Sequence, residues 1–126
     1  MNYLRADHEL PKAILEWGWQ FHHLGIPTTD SIQGETYLPH LKFYTSGFAS
    51  SPFGVEWMRF DSDCPLDEII KSQPHLAFCV NNLEEALKRG NFKILVEPTS
   101  PSKGVRVAMF EHNGAAIELL EFVKTN

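Results

Sequence analysis

The chain has 126 residues, a net charge of −5, 43% hydrophobic residues and 21% charged ones, which suits one ordinary globular domain and excludes extended disorder. No basic run or basic amphipathic helix offers a footprint for nucleic acid or an anionic membrane, so neither partner is expected. Cys64 and Cys79 are too few for a disulfide framework and form no CxxC. The N-terminus lacks a secretory pattern, and no apolar run approaches the roughly 20 residues of a membrane span, so a cytoplasmic protein is expected.

In chain order, residues 1–19 read as an N-terminal helical arm. Its helix covers 8–17, with Pro11 in the first turn and Ala13, Ile14 and Trp17 on one side. Residues 20–62 form a first module. The strand FHHLGI runs to Pro27, the turn TTDS follows, and a helical turn over 35–41 is kept short by Gly34 and Pro39. The strands LKFYTSGF and VEWMRF close the module. Residues 63–73 are a connector with a short helix over 65–72 that starts at Pro65.

Residues 74–126 form a second module. Pro74 keeps the chain extended into the apolar strand HLAFCV, and Asn82, with Glu85 three residues on, caps a helix LEEALKR that Gly90 stops. FKILVE is a strand, EPTSPSKG a surface loop, and VRVAMFEHNGAAIELLEF a hairpin turning at Asn113-Gly114, the pair that best tolerates the positive φ of a two-residue turn. That turn pairs His112 with Ala115, Met109 with Glu118, Val107 with Leu120 and Val105 with Phe122. One carboxylate, Glu118, then stands on an apolar face, where burying it bare costs several kcal/mol; it needs a partner. On the other face Arg106 opposes Glu121 as a half-exposed ion pair.

The two modules share a pattern. Each presents a histidine at the start of its first strand, His23 or His75, and a glutamate in its last, Glu56 or Glu118. His23 precedes Glu56 by 33 positions and His75 precedes Glu118 by 43, a difference of about one helix missing from the first copy. Strand alternation puts His23 with Gly25, His75 with Ala77 and Cys79, and Glu56 with Met58 on one side. Leu24, Ile26, Trp57, Leu76 and Phe78 face the other way, toward covering helices. His22 then lies away from the site, beside a helix, and Trp19 and Trp57 are core candidates. Two imidazoles and two carboxylates suit a divalent Zn, Ni, Co, Mn or Fe(II), with places left for water or substrate. Met58, Met109 and Cys79, on the site side, and Lys103, in a loop able to reach an anionic substrate, are candidate substrate contacts.

The HHLGI strand, the segment HLAFCVNNLEEALKRG and the closing GVRVAMFEHNGAAIELLEF resemble the vicinal oxygen chelate superfamily of glyoxalase I, methylmalonyl-CoA epimerase, extradiol dioxygenases and the fosfomycin and bleomycin resistance proteins. The resemblance covers roughly residues 20–122. It implies an α+β fold in which two βαβββ modules, the first with a shortened helix, form a U-shaped mixed sheet around a metal. By motif position His23, His75 and Glu118 are ligands, and Glu56 stands where glyoxalase-like and epimerase-like members place a fourth; homodimers are also implied. The expected activity is that of an isomerase, epimerase or lyase on a small carbonyl compound. Glu118 or Glu56 removes the proton beside the carbonyl while a divalent ion stabilises the enediolate. The alternatives are an Fe(II) dioxygenase using His23, His75 and Glu118, and a non-catalytic binding protein.

Overall fold

In the computed structural model, which describes residues 8–123, two β-rich halves join through their first strands. After a single helical turn α1 (Lys12–Leu15), the first half contains β1 (Gln20–Pro27), β2 (Thr36–Leu38), β3 (Phe43–Ser46) and β4 (Val55–Phe60). A connector helix α2 (Glu68–Ser72) leads to β5 (His75–Cys79), α3 (Leu83–Leu87), β6 (Lys93–Ser102), β7 (Val105–His112) and β8 (Ala115–Phe122). The eight strands make one curled mixed sheet in the order β2-β3-β4-β1-β5-β8-β7-β6. Each half lays its last strand parallel beside its first, β4 on β1 and β8 on β5, and the halves meet where β1 and β5 pair antiparallel. Residues 1–7 of the expected arm and 124–126 of the second module lie outside the described residues.

The hairpin has the register its turn dictates. Asn113 and Gly114 take φ of 49° and 86°, and all pairs from His112 with Ala115 to Val105 with Phe122 are present. Asn82 caps α3 by accepting from the Glu85 N–H at 2.9 Å. The Arg106–Glu121 pair does more than bridge two strands: Arg106 Nη1 donates to Glu121 Oε1 at 3.0 Å, while Glu121 Oε2 accepts from the Leu83 N–H at 2.9 Å. One carboxylate thus ties the start of α3 to the sheet.

Helix α3 covers the outer face of the second half, packing Leu83 and Ala86 on Val80, Ala108, Phe110 and Leu119, with Trp19 at the margin. Leu119 is wholly buried. Leu119→Ala is expected to lower stability by about 2–5 kcal/mol, read as a lower urea midpoint at unchanged slope.

Among the described residues no helix covers the first half in this way, and several expectations change with it. Instead of a shortened helix, residues 28–35 form an irregular turn, and 36–38 of the expected helical turn are strand β2. These eight residues, with Pro27 before them and Gly34 among them, carry no apolar stripe to dock. The turn is held by the Thr28 N–H donating to the Met58 carbonyl at 2.8 Å and by Arg59, which donates to Glu35 from Nε at 3.2 Å and lies over the Tyr44 ring. Without a covering helix Trp57 is 39% exposed rather than core. Helix α1 is shorter than expected: it starts only after its cap Pro11, and beyond its end Gly18, at φ 75°, turns the chain so that the Trp19 N–H reaches the Ala13 carbonyl at 2.9 Å. Helix α2 starts at its cap Asp67, whose side chain accepts from the Ile69 N–H, rather than at Pro65. The expected loop EPTSPSKG is largely strand: β6 runs to Ser102, with three register shifts that absorb its prolines.

Candidate metal centre

The pairing register builds the site. Gly25 stands between Glu56 on β4 and His75 on β5. Ala77 stands between His23 on β1 and Glu118 on β8. Exchanging the halves converts one row into the other, so the repeat of histidine and glutamate seen in the chain is a twofold repeat in space. Cross-strand partners share a face, and all six residues therefore lie on one side of the sheet.

Small residues at the centre of each row make room for the rings beside them. An added Cβ at Gly25 would stand 2.1 Å from His75 Cε1, so the imidazole of His75 lies directly over the Gly25 backbone. Its counterpart Ala77 is fully buried. Sequence reasoning placed Gly25 on the correct face and assigned it no role; its requirement follows from the register.

Three donor atoms converge. Glu118 Oε1 lies 3.0 Å from His75 Nε2 and 3.2 Å from His23 Nε2, and the three ligand atoms all fall within 4.8 Å of one another. Both histidines are buried. The approach of Glu118 does not give His23 Nε2 a well-formed hydrogen bond, and that buried nitrogen has no other partner among the described residues. Buried polar atoms are normally satisfied, so two imidazole nitrogens and a carboxylate oxygen gathered this closely, with one of those nitrogens unpartnered, form a donor set that fits a divalent cation. Burial works to raise the Glu118 pKa, but His23 and His75 outweigh it and bring the carboxyl down to about 2. Burial likewise works against the charged form of His23, yet Glu118 and, more weakly, Glu56 leave its pKa raised.

Glu56 stands apart from the converging three. Burial raises its pKa, partly offset by His23. It lines the same cavity, a cleft of about 360 Å³ whose wall is mostly aliphatic and aromatic and includes Met58 and Met109. Cys79 and Lys103 are not on that wall: Cys79 is half-buried with its thiol pKa pushed up by burial, and Lys103 is exposed in the turn before β7. No lysine or arginine among the described residues lines the cleft.

His22 departs from the expected alternation. The β1–β5 register shifts between Phe21 and His23, and this bulge carries His22 to the cavity side. Its Nδ1 lies 2.7 Å from His23 Nδ1, and its ring stacks on Phe48 at 4.7 Å. Burial and the neighbouring His23 lower its pKa. The HH pair is visible in the chain, whereas the bulge is not.

No protein-family description matches the sequence, and no curated protein matches it. Solved structures do. A hypothetical protein from Bacillus halodurans C-125 matches with a TM-score of 0.64 at 18% identity, over 86% of this chain and 97% of that one. Methylmalonyl-CoA epimerase from Mycobacterium tuberculosis matches with a TM-score of 0.63 at 17% identity, over 95% of this chain and 97% of that one. The chain has the vicinal oxygen chelate fold. Within that fold the second module is complete, β-α-β-β-β, and the first is reduced to four strands. The three-donor group sits where the two modules of the vicinal oxygen chelate sheet meet.

Proposed function

We propose that the protein is a metal-dependent isomerase or epimerase of a small carbonyl compound, with His23, His75 and Glu118 holding the ion and Glu56 serving as the base. The observation that carries this reading is the unequal treatment of two glutamates in one apolar cleft: Glu118 joins the histidines, while Glu56 stays outside the group with a raised pKa. A divalent Zn, Ni, Co, Mn or Fe(II) would supply a Lewis acid for the oxygen that takes up charge. Glu118, drawn down to about 2, is a good ligand and a weak base. Glu56, desolvated, holds a proton more tightly than a surface glutamate and is better matched to removing one beside a carbonyl. Glu56 then carries that proton and either returns it to the carbon or exchanges it with solvent. With no described cation on the wall, the substrate is expected to carry an apolar body with its polar oxygens turned to the histidines.

The test is proton exchange in deuterated water, with the metal-supplemented protein and a panel of small 2-oxo and 2-hydroxy carbonyl compounds alongside methylmalonyl-CoA. Deuterium should enter the carbon next to the carbonyl, and Glu56→Gln should cut the rate at least about 100-fold with metal content unchanged. Because the base works ionised, kcat/KM should fall as pH drops through the pKa of Glu56, which burial raises. Full metal occupancy with no exchange in any compound, or an unaffected Glu56→Gln, would sink this reading.

A second reading has one observation in its favour: two histidines and one glutamate, with Glu56 apart, match the donor set of Fe(II) oxygenases. Oxygen uptake by the Fe(II)-loaded protein with a catechol separates the two. We also place the protein in the reducing cytoplasm, since Cys64 and Cys79 are both free, and take a homodimer as its assembly, which sedimentation tests. Among the described residues no helix is long and apolar enough to cross a membrane.

A further inference from the structure

We propose that His22 is a positioning residue for the metal centre, accepting a hydrogen bond from His23 Nδ1 and thereby directing the lone pair of His23 Nε2 at the ion. The inference rests on the metal reading above and concerns a residue outside the three-donor group. Two imidazole nitrogens 2.7 Å apart, His22 Nδ1 and His23 Nδ1, need one proton between them. A nitrogen that binds metal carries no proton, and the nitrogen of His23 that faces Glu118 Oε1 at 3.2 Å is Nε2. The proton of neutral His23 therefore sits on Nδ1, His22 Nδ1 is the acceptor, and His22 keeps its own proton on Nε2.

The surroundings hold His22 in that role. The bulge after Phe21 places it, and its ring is stacked on Phe48 with planes only 13° apart and flanked by Phe122 at 5.5 Å. The His23 ring stands nearly perpendicular to it, at 78°, so an in-plane Nδ1–H of one ring meets the other without a stacking clash. Among the described residues His75 has no equivalent: its Nδ1 is buried with no hydrogen-bond partner there. Two ligands that the twofold makes equivalent in position thus differ in their outer contact. His23 is the ligand whose tautomer is set from outside, and acceptors of this kind are typically worth about 10–100-fold in metal affinity.

The experiment compares wild type, His22→Phe and His22→Asn, each stripped with chelator and titrated with zinc. His22→Phe keeps a flat ring against Phe48 and removes the acceptor; it should weaken zinc binding about 10–100-fold with an unchanged circular dichroism spectrum. His22→Asn offers an amide oxygen near the position of Nδ1 and should recover most of that loss. In zinc-loaded wild type, nitrogen-15 NMR should show a protonated His23 Nδ1 with a through-hydrogen-bond coupling to His22 Nδ1, absent from His22→Phe. Wild type that binds zinc, with a folded His22→Phe that binds it equally or a His23 unprotonated at Nδ1, overturns the role of His22 alone. Wild type that binds no zinc, cobalt or Fe(II) overturns the metal reading beneath it as well.

Discussion

Loaded with zinc or cobalt and freed of excess, the wild-type protein is expected to retain one ion per chain, and His75→Ala and Glu118→Gln to retain none. The asymmetry of the site makes both losses large. Glu118 Oε1 is the atom both imidazoles approach, at 3.0 and 3.2 Å, so a neutral amide there removes the only negative charge within the three-donor group while keeping its shape. His75→Ala leaves two donors, too few to compete with water for a small divalent ion. Elemental analysis reads the stoichiometry, and a rise in melting temperature with added zinc, present in wild type only, confirms that the ion binds the folded state. Uptake should also depend on acidity with a definite sign. Glu118 is already ionised above about pH 2, so the protons that compete are carried by imidazole, among them the one on His23, whose pKa is raised. Affinity is expected to be full above that pKa and to fall about tenfold per pH unit below it. Equal metal content in all three proteins would refute the site.

Gly25→Ala is expected to damage the centre almost as severely, although glycine contributes no ligand atom. The new methyl would meet His75 Cε1 at 2.1 Å, a distance no pair of carbons sustains. The glycine backbone cannot retreat, because the ladder pairs it with Glu56 on one side and His75 on the other. The imidazole must swing away, costing about 1–3 kcal/mol of stability and taking its nitrogen out of reach of Glu118. Metal affinity should drop at least about 10-fold. The double variant Gly25→Ala with His75→Ala isolates the cause: removing the ring should return most of the lost stability and none of the metal. A Gly25→Ala protein with wild-type melting and affinity would show that His75 does not lie over the glycine.

The second half could be read from the chain because its signals are local. Asn113-Gly114 sets the turn, the turn sets the register down to Val105 and Phe122, and the register puts Glu118 on an apolar face in need of a partner. Asn82 and Gly90 bracket a helix that the structure contains, two residues shorter than expected. The repeat of histidine and glutamate was visible for the same reason: strand period two assigns each to a face without knowledge of its neighbours.

The first half was harder because its elements are decided by contacts distant in sequence. Residues 28–35 are held by Arg59 and the Met58 carbonyl, neither of which shows in a local pattern, and with no helix above it Trp57 stays partly exposed. The separation of Glu118 from Glu56 was likewise out of reach: both are strand glutamates facing one cleft, and only the folded sheet shows which of them the imidazoles meet. His22 and Gly25 belong with them, one turned inward by a bulge, the other required by a ring that lies over it from the adjacent strand. Short-range backbone preference and side-chain alternation named the chemistry available in this chain. Which donors share a point in space, and which small residue leaves them room, came from pairing strands about fifty residues apart, because register across β1 and β5 is a property of the closed sheet and of neither strand alone.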